Sequence, residues 1–187
     1  MKRALIPVAP GFEEVEAIAV IDVLRRAGVE VTTATTNTSA KETVEGRCAV
    51  RIKADTTLDE AAKGPCFDIL ILPGGAACTE TLLKDKRIEL IIEKHRENDS
   101  FIAAICAAPL VLSKADVTSG KVVTCHPSVR DKVEAKEITN DRVVIDGKLI
   151  TSQGPGTAVE FAFTLVELLC GKEKAAEVNK GFLAELP

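Results

Sequence analysis

Short, mainly apolar segments alternate along this chain with longer stretches whose apolar residues recur at helical spacing. Segments of this kind are typical of strands buried on both faces, and the amphipathic stretches are typical of the helices that connect such strands. The pattern therefore predicts an α/β fold, with a mainly parallel sheet and helices on both faces. The predicted strands cover residues 4–8, 29–34, 69–72, 101–105, 121–125, 143–145 and 149–152.

The amphipathic stretches fill most of the intervening sequence. Asp146-Gly147 predicts a hairpin turn, and the alternating segment 49–53 predicts an edge strand or a hairpin. No repeat, linker or low-complexity segment divides the 187 residues, so the whole chain, 1–187, is expected to form a single domain. The predicted helices cover residues 13–27, 87–98, 107–115, 128–135, 157–170 and 172–180.

Charge and composition argue against several classes of partner. The net charge is −4, acidic and basic residues are interspersed, and the chain has no Trp or Tyr on which bases could stack, so no nucleic acid partner is expected. The apolar runs are far shorter than the roughly 18 to 20 residues that cross a bilayer, and the first residues lack the pattern of a secretory signal. We therefore expect a cytoplasmic protein without a membrane partner.

The six cysteines are widely separated and include no CxxC pair, which argues against a zinc site or a dithiol motif. In a reducing compartment all six are expected to be free thiols. They are Cys48, Cys66, Cys78, Cys106, Cys125 and Cys170.

Ligands of open α/β sheets bind beyond the carboxyl ends of the strands, so the residues that follow each strand are the candidates for function. Here one cysteine, one histidine and three glycine-bearing loops are predicted to meet at that edge. They are Ala9-Pro10-Gly11, Pro73-Gly74-Gly75, Cys106, His126-Pro127 and Gly154-Pro155-Gly156.

Cys106 ends a predicted buried strand and is followed by Ala107-Ala108-Pro109, so a strand turns directly into a helix at this residue. Unpaired N–H groups at a helix start favour a thiolate over a thiol, and a nucleophile at such a turn usually has strained backbone angles. We predict a reactive thiolate of lowered pKa. The alternative is a buried structural cysteine.

Gly74 and Gly75 follow a predicted strand in a loop whose backbone can approach a ligand closely. The N–H groups of Gly74 and Gly75, with that of Ala107, are predicted to bind the oxyanion of an adduct on the cysteine sulfur. An ordinary strand-to-helix turn is the alternative.

The first predicted helix places Glu13 and Glu16 on its core-facing side, whereas Glu14 falls on the opposite side. A carboxyl group on a core-facing stripe that stays protonated can donate a hydrogen bond to a thiolate. Glu16 is the predicted acid/base group, because Glu13 lies in the first turn, where capping of the helix explains it.

The two histidines differ in their predicted positions. His126 follows a strand at the predicted active edge and is the candidate proton shuttle or hydrogen-bond partner of Cys106, with simple loop packing as the alternative. His95 lies within a charged stretch and is predicted to be on the surface. Cys125 and His126 are adjacent, but alternation along a strand separates their side chains, so no metal is expected.

Several motifs together carry a resemblance to a known family. They are Lys2-Arg3-Ala4-Leu5, Gly11-Phe12-Glu13-Glu14-Val15-Glu16, Asp22-Val23-Leu24-Arg25-Arg26-Ala27-Gly28, Leu72-Pro73-Gly74-Gly75, Ala103-Ala104-Ile105-Cys106-Ala107-Ala108-Pro109, His126-Pro127, Thr151-Ser152-Gln153-Gly154-Pro155-Gly156-Thr157 and Glu160-Phe161-Ala162. With these residues the chain resembles the ThiJ/PfpI superfamily, in its protein deglycase (Parkinson disease protein seven) branch, over nearly its whole length.

The resemblance implies a flavodoxin-like three-layer sandwich that forms homodimers and requires no cofactor. It implies that Cys106 is an oxidation-prone nucleophile, that Glu16 is the protonated carboxyl beside it, that His126 lies nearby, and that Gly75 and Ala107 are backbone donors. Members of this branch are described as glutathione-independent glyoxalases (glyoxalase III-type lyases), as deglycases (hydrolases) acting on early glycation adducts, and as redox-responsive protective proteins. Mitochondrial or nuclear pools beside the cytoplasmic one are also compatible with it.

Two departures from the family pattern concern charge. Gln153 stands where close relatives usually carry arginine, and the arginine expected before the edge strand is matched by Arg47 in an ambiguous register, so an anion site built from those arginines is not predicted. Ala107 stands where the peptidase branch has histidine, which disfavours proteolysis.

Two functions compete for the same sulfur. In the first, the Cys106 thiolate converts small dicarbonyl aldehydes, or glycated adducts, to hydroxy acids, with Glu16 and His126 moving protons. In the second, the protein is a non-catalytic redox sensor in which Cys106 oxidises to a sulfinate that Glu16 hydrogen-bonds, or a redox-regulated chaperone.

Overall fold

The computed structural model describes residues 1–186. Its strands are β1 (Arg3–Val8), β2 (Glu30–Thr35), β3 (Thr43–Glu45), β4 (Arg51–Lys53), β5 (Thr56–Thr57), β6 (Ile69–Leu72), β7 (Phe101–Ile105), β8 (Val122–Val123), β9 (Glu137–Ile138), β10 (Val143–Asp146) and β11 (Leu149–Ser152). Its helices are α1 (Glu14–Arg26), α2 (Leu58–Lys63), α3 (Ala76–Lys84), α4 (Lys86–Glu97), α5 (Pro109–Lys114), α6 (Ala158–Cys170) and α7 (Lys172–Phe182).

Seven of these strands form one sheet in the order β10-β11-β7-β6-β1-β2-β5. All neighbours pair in parallel except β10 and β11, which form the hairpin predicted at Asp146-Gly147. All four residues of β6 are buried, as expected for a central strand that is covered on both faces. Helix α1 packs on α6 and α6 on α7, whereas α2 packs on α4 and α3 on α5. The predicted α/β sandwich with a mainly parallel sheet is confirmed.

Several short elements differ from the predicted strands and helices. The predicted strand 121–125 is reduced to β8, which pairs with β9 outside the main sheet, and the predicted helix 128–135 is a 3-10 helix over Pro127–Lys132. Helices α2 and α3 were not predicted, because each is short and has few apolar positions from which to read a period.

The prediction of a surface position for His95 is wrong. Its ring is 1% exposed on the core side of α4, and Nδ1 lies 2.7 Å from the carbonyl oxygen of Ile91. The charged neighbours of His95 point away from the sheet, whereas His95 continues the buried row of Ile88, Ile91 and Ile92.

None of the helices within residues 1–186 combines the length and the apolar character needed to span a bilayer.

Candidate active site

Cys106 is held at the end of β7 in a left-handed backbone conformation. Its φ is +66°, which is unfavourable for any residue with a Cβ, so the surrounding structure must stabilise it. The Cys106 N–H donates to the carbonyl oxygen of Ser152 at 2.9 Å, and the Cys106 carbonyl accepts from the N–H of His126 at 2.8 Å. The predicted strained turn is present, and it leaves the cysteine partly exposed.

Glu16 reaches the same point from α1. Its side chain is 1% exposed, and Oε2 accepts a hydrogen bond from the N–H of Gly74 at 2.8 Å. A hydrogen bond from the Cys106 thiol lowers the pKa of this carboxyl group. Within the described residues, no partner of Oε1 meets full hydrogen-bonding geometry. The structure therefore brings the two predicted groups together and leaves one carboxyl oxygen available for a proton.

The glycine loop that follows β6 makes this approach possible. A Cβ on Gly74 would lie 2.5 Å from Glu16 Oε2 and 2.6 Å from the Cβ of Cys106. Gly75 has a φ of +92°, and a Cβ there would lie 2.2 Å from the carbonyl oxygen of Gly11. Both positions therefore require glycine: Gly74 because its backbone lies against the carboxyl group and the cysteine, and Gly75 because of its positive φ and the backbone of Gly11.

The N–H of Gly74, which was also predicted to be a donor, is bound to Glu16 instead. The N–H groups of the other two predicted donors, Gly75 and Ala107, lower the pKa of the Cys106 thiol. In doing so they favour its anionic form, as expected. The helix behind them is α5, which has only six residues and starts at Pro109, so its dipole contributes less than the sequence suggested.

Burial dominates the protonation of the pair. It raises the pKa of Glu16 from 4.5 to about 7, and hydrogen bonds from Cys106 and the Gly74 amide offset part of that rise. Burial, with the neighbouring Glu16 carboxylate, raises the pKa of Cys106 from 9.0 to about 12, although the two backbone amides lower it. The prediction that the helix start gives Cys106 a lowered pKa is wrong, because burial outweighs the backbone amides. Between the two pKa values the pair holds a single proton.

His126 lies beside the site through its backbone, because its N–H binds the Cys106 carbonyl. Its ring Nδ1 lies 2.8 Å from Ser128 Oγ, and its Cδ2 faces Gly154. The His126 backbone thus lies beside Cys106, whereas the part of its ring in proton transfer stays a prediction.

The hairpin β3–β4 supplies residues whose location the sequence left ambiguous. Arg47, in the turn of this hairpin, donates from Nη1 to Glu13 Oε2 at 3.1 Å. Glu13 makes no side-chain cap to α1, so the capping role predicted for it is wrong. Glu14 was predicted to face away from the core, but it is buried under the same turn, where Oε1 accepts from the N–H of Cys48 at 2.7 Å.

Gln153 is bound to the segment before β10. Its Nε2 donates to the carbonyl oxygen of Asn140 at 2.7 Å, which ties the turn after β11 to the segment before β10. In the part of the chain that the structure describes, no three His, Cys, Asp or Glu side chains are grouped so that they could hold a metal ion.

The fold and this site together define a flavodoxin-like protein with a cysteine at a strained strand end and a buried carboxyl group against it. Residues 2–168 match the DJ-1/PfpI family, and the chain belongs to that family.

Three relatives cover almost all of the chain. It is 44% identical over 184 residues to protein dj-1beta of Drosophila melanogaster, and the aligned region covers 97% of each chain. It is 40% identical over 181 residues to the Parkinson disease protein 7 homolog of Danio rerio (95% of each chain) and 38% identical over 182 residues to the glutathione-independent glyoxalase DJR-1.2 of Caenorhabditis elegans (96% of this chain, 95% of the relative). The crystal structure of Drosophila melanogaster DJ-1beta superposes with a TM-score of 0.93 at 43% identity, over 98% of each chain.

Proposed function

We propose that this protein is a cysteine-dependent, glutathione-independent glyoxalase that converts methylglyoxal to lactate, with deglycase activity on early glycation adducts by the same route. The observation that carries the proposal is the buried Glu16 carboxyl group, which meets Cys106 at Gly74 with Oε1 unpartnered. The similarity to a relative named as a glutathione-independent glyoxalase supports it.

The reactive form is the one in which Glu16 keeps the shared proton and Cys106 is a thiolate. In this form the sulfur accepts from the N–H groups of Gly75 and Ala107 and from the Glu16 carboxyl group, so three donors stabilise one anion. In the opposite form, the Glu16 carboxylate has the Gly74 N–H and the thiol as donors in a buried site. These donors stabilise the thiolate, which is the minor form of the one-proton pair because Glu16 has the lower pKa of the two groups.

The chemistry follows from these positions. The thiolate attacks the aldehyde carbon to give a hemithioacetal, whose oxygen takes a proton from Glu16. The Glu16 carboxylate removes the proton on the former aldehyde carbon to give an enediol, and reprotonation of the adjacent carbon yields a thioester. Water then releases lactate and the thiol, so the electrons stay within the substrate and no external oxidant is needed. His126 is the second proton carrier of the proposal.

The direct test is to incubate the purified protein with methylglyoxal in the absence of glutathione and to measure lactate. Cys106→Ser should abolish lactate formation, and Glu16→Gln should reduce it by 100-fold or more, on the order of the contribution of a general acid–base group. Cys170→Ser is the matched control, since Cys170 lies partly exposed at the end of α6. Lactate formation that persists in Cys106→Ser would remove the proposal.

The redox alternative rests on the same unpartnered Glu16 oxygen, which as a protonated group can hydrogen-bond a sulfinate on the partly exposed Cys106. Under mild peroxide, a sensor gains two oxygen atoms at Cys106 stoichiometrically and shows little turnover of methylglyoxal. An enzyme forms many equivalents of lactate per chain. Peptide mass spectrometry and lactate measurement on the same sample separate the two.

We also propose that the protein is a homodimer. Val15 and Ile18 on α1 are 50% and 41% exposed, and Val50 in the neighbouring hairpin turn is 49% exposed, which gives an apolar surface suited to a second copy. Light scattering of the wild type should give twice the chain mass. Ile18→Lys should shift it towards the monomer, whereas Leu90→Lys, at an exposed position on α4, should not.

A further inference from the structure

The turn of the β3–β4 hairpin is fastened onto the start of α1 by four hydrogen bonds. The N–H of Gly11 donates to the carbonyl oxygen of Glu45 at 2.8 Å, and the N–H of Arg47 donates to that of Phe12 at 3.0 Å. The other two are the bond from the Arg47 guanidinium to Glu13 at 3.1 Å and the one from the Cys48 N–H to Glu14 at 2.7 Å. Arg47 is thereby fixed at one place although its side chain is 61% exposed.

This contact lies directly beside the Glu16 carboxyl group. Glu13 is one helical turn before Glu16, only 8% of its side chain is exposed, and its N–H donates to the carbonyl oxygen of Gly74 at 3.1 Å. Gly74 is also the residue whose N–H binds Glu16. Gly74 therefore binds both the Glu16 carboxyl group and the Glu13 backbone, and a negative charge on the buried Glu13 side chain acts on Glu16 through a protein interior that screens it poorly.

Three titratable or charged groups act on Glu16, from three different segments. They are Glu13 at the start of α1, Arg47 in the hairpin and Cys106 at the end of β7. Glu16 in turn raises the pKa of the buried Cys78 thiol on α3. Glu13 raises the pKa of Glu16, and Arg47 lowers it.

We propose that Arg47 is a positioning residue for the Cys106 site, and that its guanidinium, held against Glu13 by the hairpin, offsets the charge that Glu13 places beside Glu16. Arg47 then acts on the shared proton of the pair without touching the substrate. The inference rests on the one-proton pair of the proposed function and adds the device that sets the pH at which the pair becomes reactive.

The test is the pH dependence of Cys106 alkylation by iodoacetamide, resolved from the other cysteines by peptide mass spectrometry. Arg47→Gln leaves the Glu13 charge uncompensated and should move the midpoint up by roughly half a pH unit or more. Glu13→Gln removes that charge while Arg47 stays, and should move the midpoint down. The double variant should return close to the wild type, because the two opposite charges are then both absent.

Two controls separate charge from structure. Arg47→Lys keeps the charge and should keep the wild-type midpoint. Arg51→Gln removes an arginine of the same hairpin that binds the exposed Glu45 at 2.7 Å, and should leave the midpoint unchanged.

If Arg47 only fastened the hairpin, Arg47→Gln and Glu13→Gln would break the same contact and shift the midpoint in the same direction or not at all. Either result overturns the inference. Lactate formation is measured separately. If no lactate forms but the two variants shift the midpoint in opposite directions, the glyoxalase proposal is removed and the role of Arg47 stands. If lactate forms but both variants shift the midpoint in the same direction, the role of Arg47 is removed and the glyoxalase proposal stands.

Discussion

Glu16 and Cys106 converge on the Cα of Gly74, where a Cβ would lie 2.5 Å from Glu16 Oε2 and 2.6 Å from the Cβ of Cys106. Two residues 90 positions apart in the sequence thus form one protonation unit. The contact between them is possible because Gly74 has no side chain.

Gly74→Ala should separate this pair. The added methyl group must displace the carboxyl group or the cysteine, so we expect a loss of stability of about 1 to 3 kcal/mol and a fall of at least tenfold in the rate of Cys106 alkylation at pH 8. Gly181→Ala is the control, because a Cβ at that position on α7 meets nothing within 4 Å. Urea denaturation and peptide mass spectrometry measure the two effects, and wild-type alkylation in Gly74→Ala would contradict the tight contact.

Glu16 should make the protein less stable as the pH rises from about 4.5 to about 7. Its folded pKa of about 7 lies above its ordinary value of 4.5, so the unfolded chain loses the proton first and is favoured across this window. The full effect is about 3 kcal/mol, and Glu16→Gln should abolish it. Urea denaturation at a series of pH values measures the slope. Glu80→Gln, which removes an exposed carboxylate of α3, should retain it.

His95 should give a slope of the opposite sign. Burial lowers its pKa below 6.5, so the unfolded chain takes up the proton first and stability is lost as the pH falls below 6.5. Because this window overlaps that of Glu16, the measurement belongs in the Glu16→Gln background. In that background, His95→Gln should reduce the loss of unfolding free energy that occurs as the pH falls below 6.5. An unchanged slope would show that His95 does not cause it.

The strained backbone at Cys106 predicts that glycine is more stable than alanine at this position, the opposite of the order inside a helix. At a φ of +66° glycine is favoured over alanine, so Cys106→Gly should be more stable than Cys106→Ala by about 1 kcal/mol. Cys78 is the matched control, because inside α3 the ordinary order holds and Cys78→Gly should be less stable than Cys78→Ala by about 1 kcal/mol. Thermal or urea denaturation of the four variants tests the inversion.

Much of the sheet could be predicted from local pattern. Strands β6, β7 and β11 occupy the predicted residues, since a short, mainly apolar run bounded by turn-forming or polar residues is typical of a buried strand. The pattern failed for the predicted helix 128–135, where the chain forms a 3-10 helix over Pro127–Lys132 that starts at a proline and is capped by the His126 side chain. It failed for His95, where a charged neighbourhood concealed one buried position of a helical row.

The sequence by itself determined which residues lie at the active edge, because the order of strands and the residues after them follow from the chain. It also determined that Cys106 stands at a turn and that Glu16 lies on a core-facing stripe. Only the tertiary structure decided how the site is charged. Burial depends on everything that packs around a group, and it outweighs the short α5 helix at Cys106. The partnership of Arg47 with Glu13 likewise arises only when a distant hairpin folds over the start of α1.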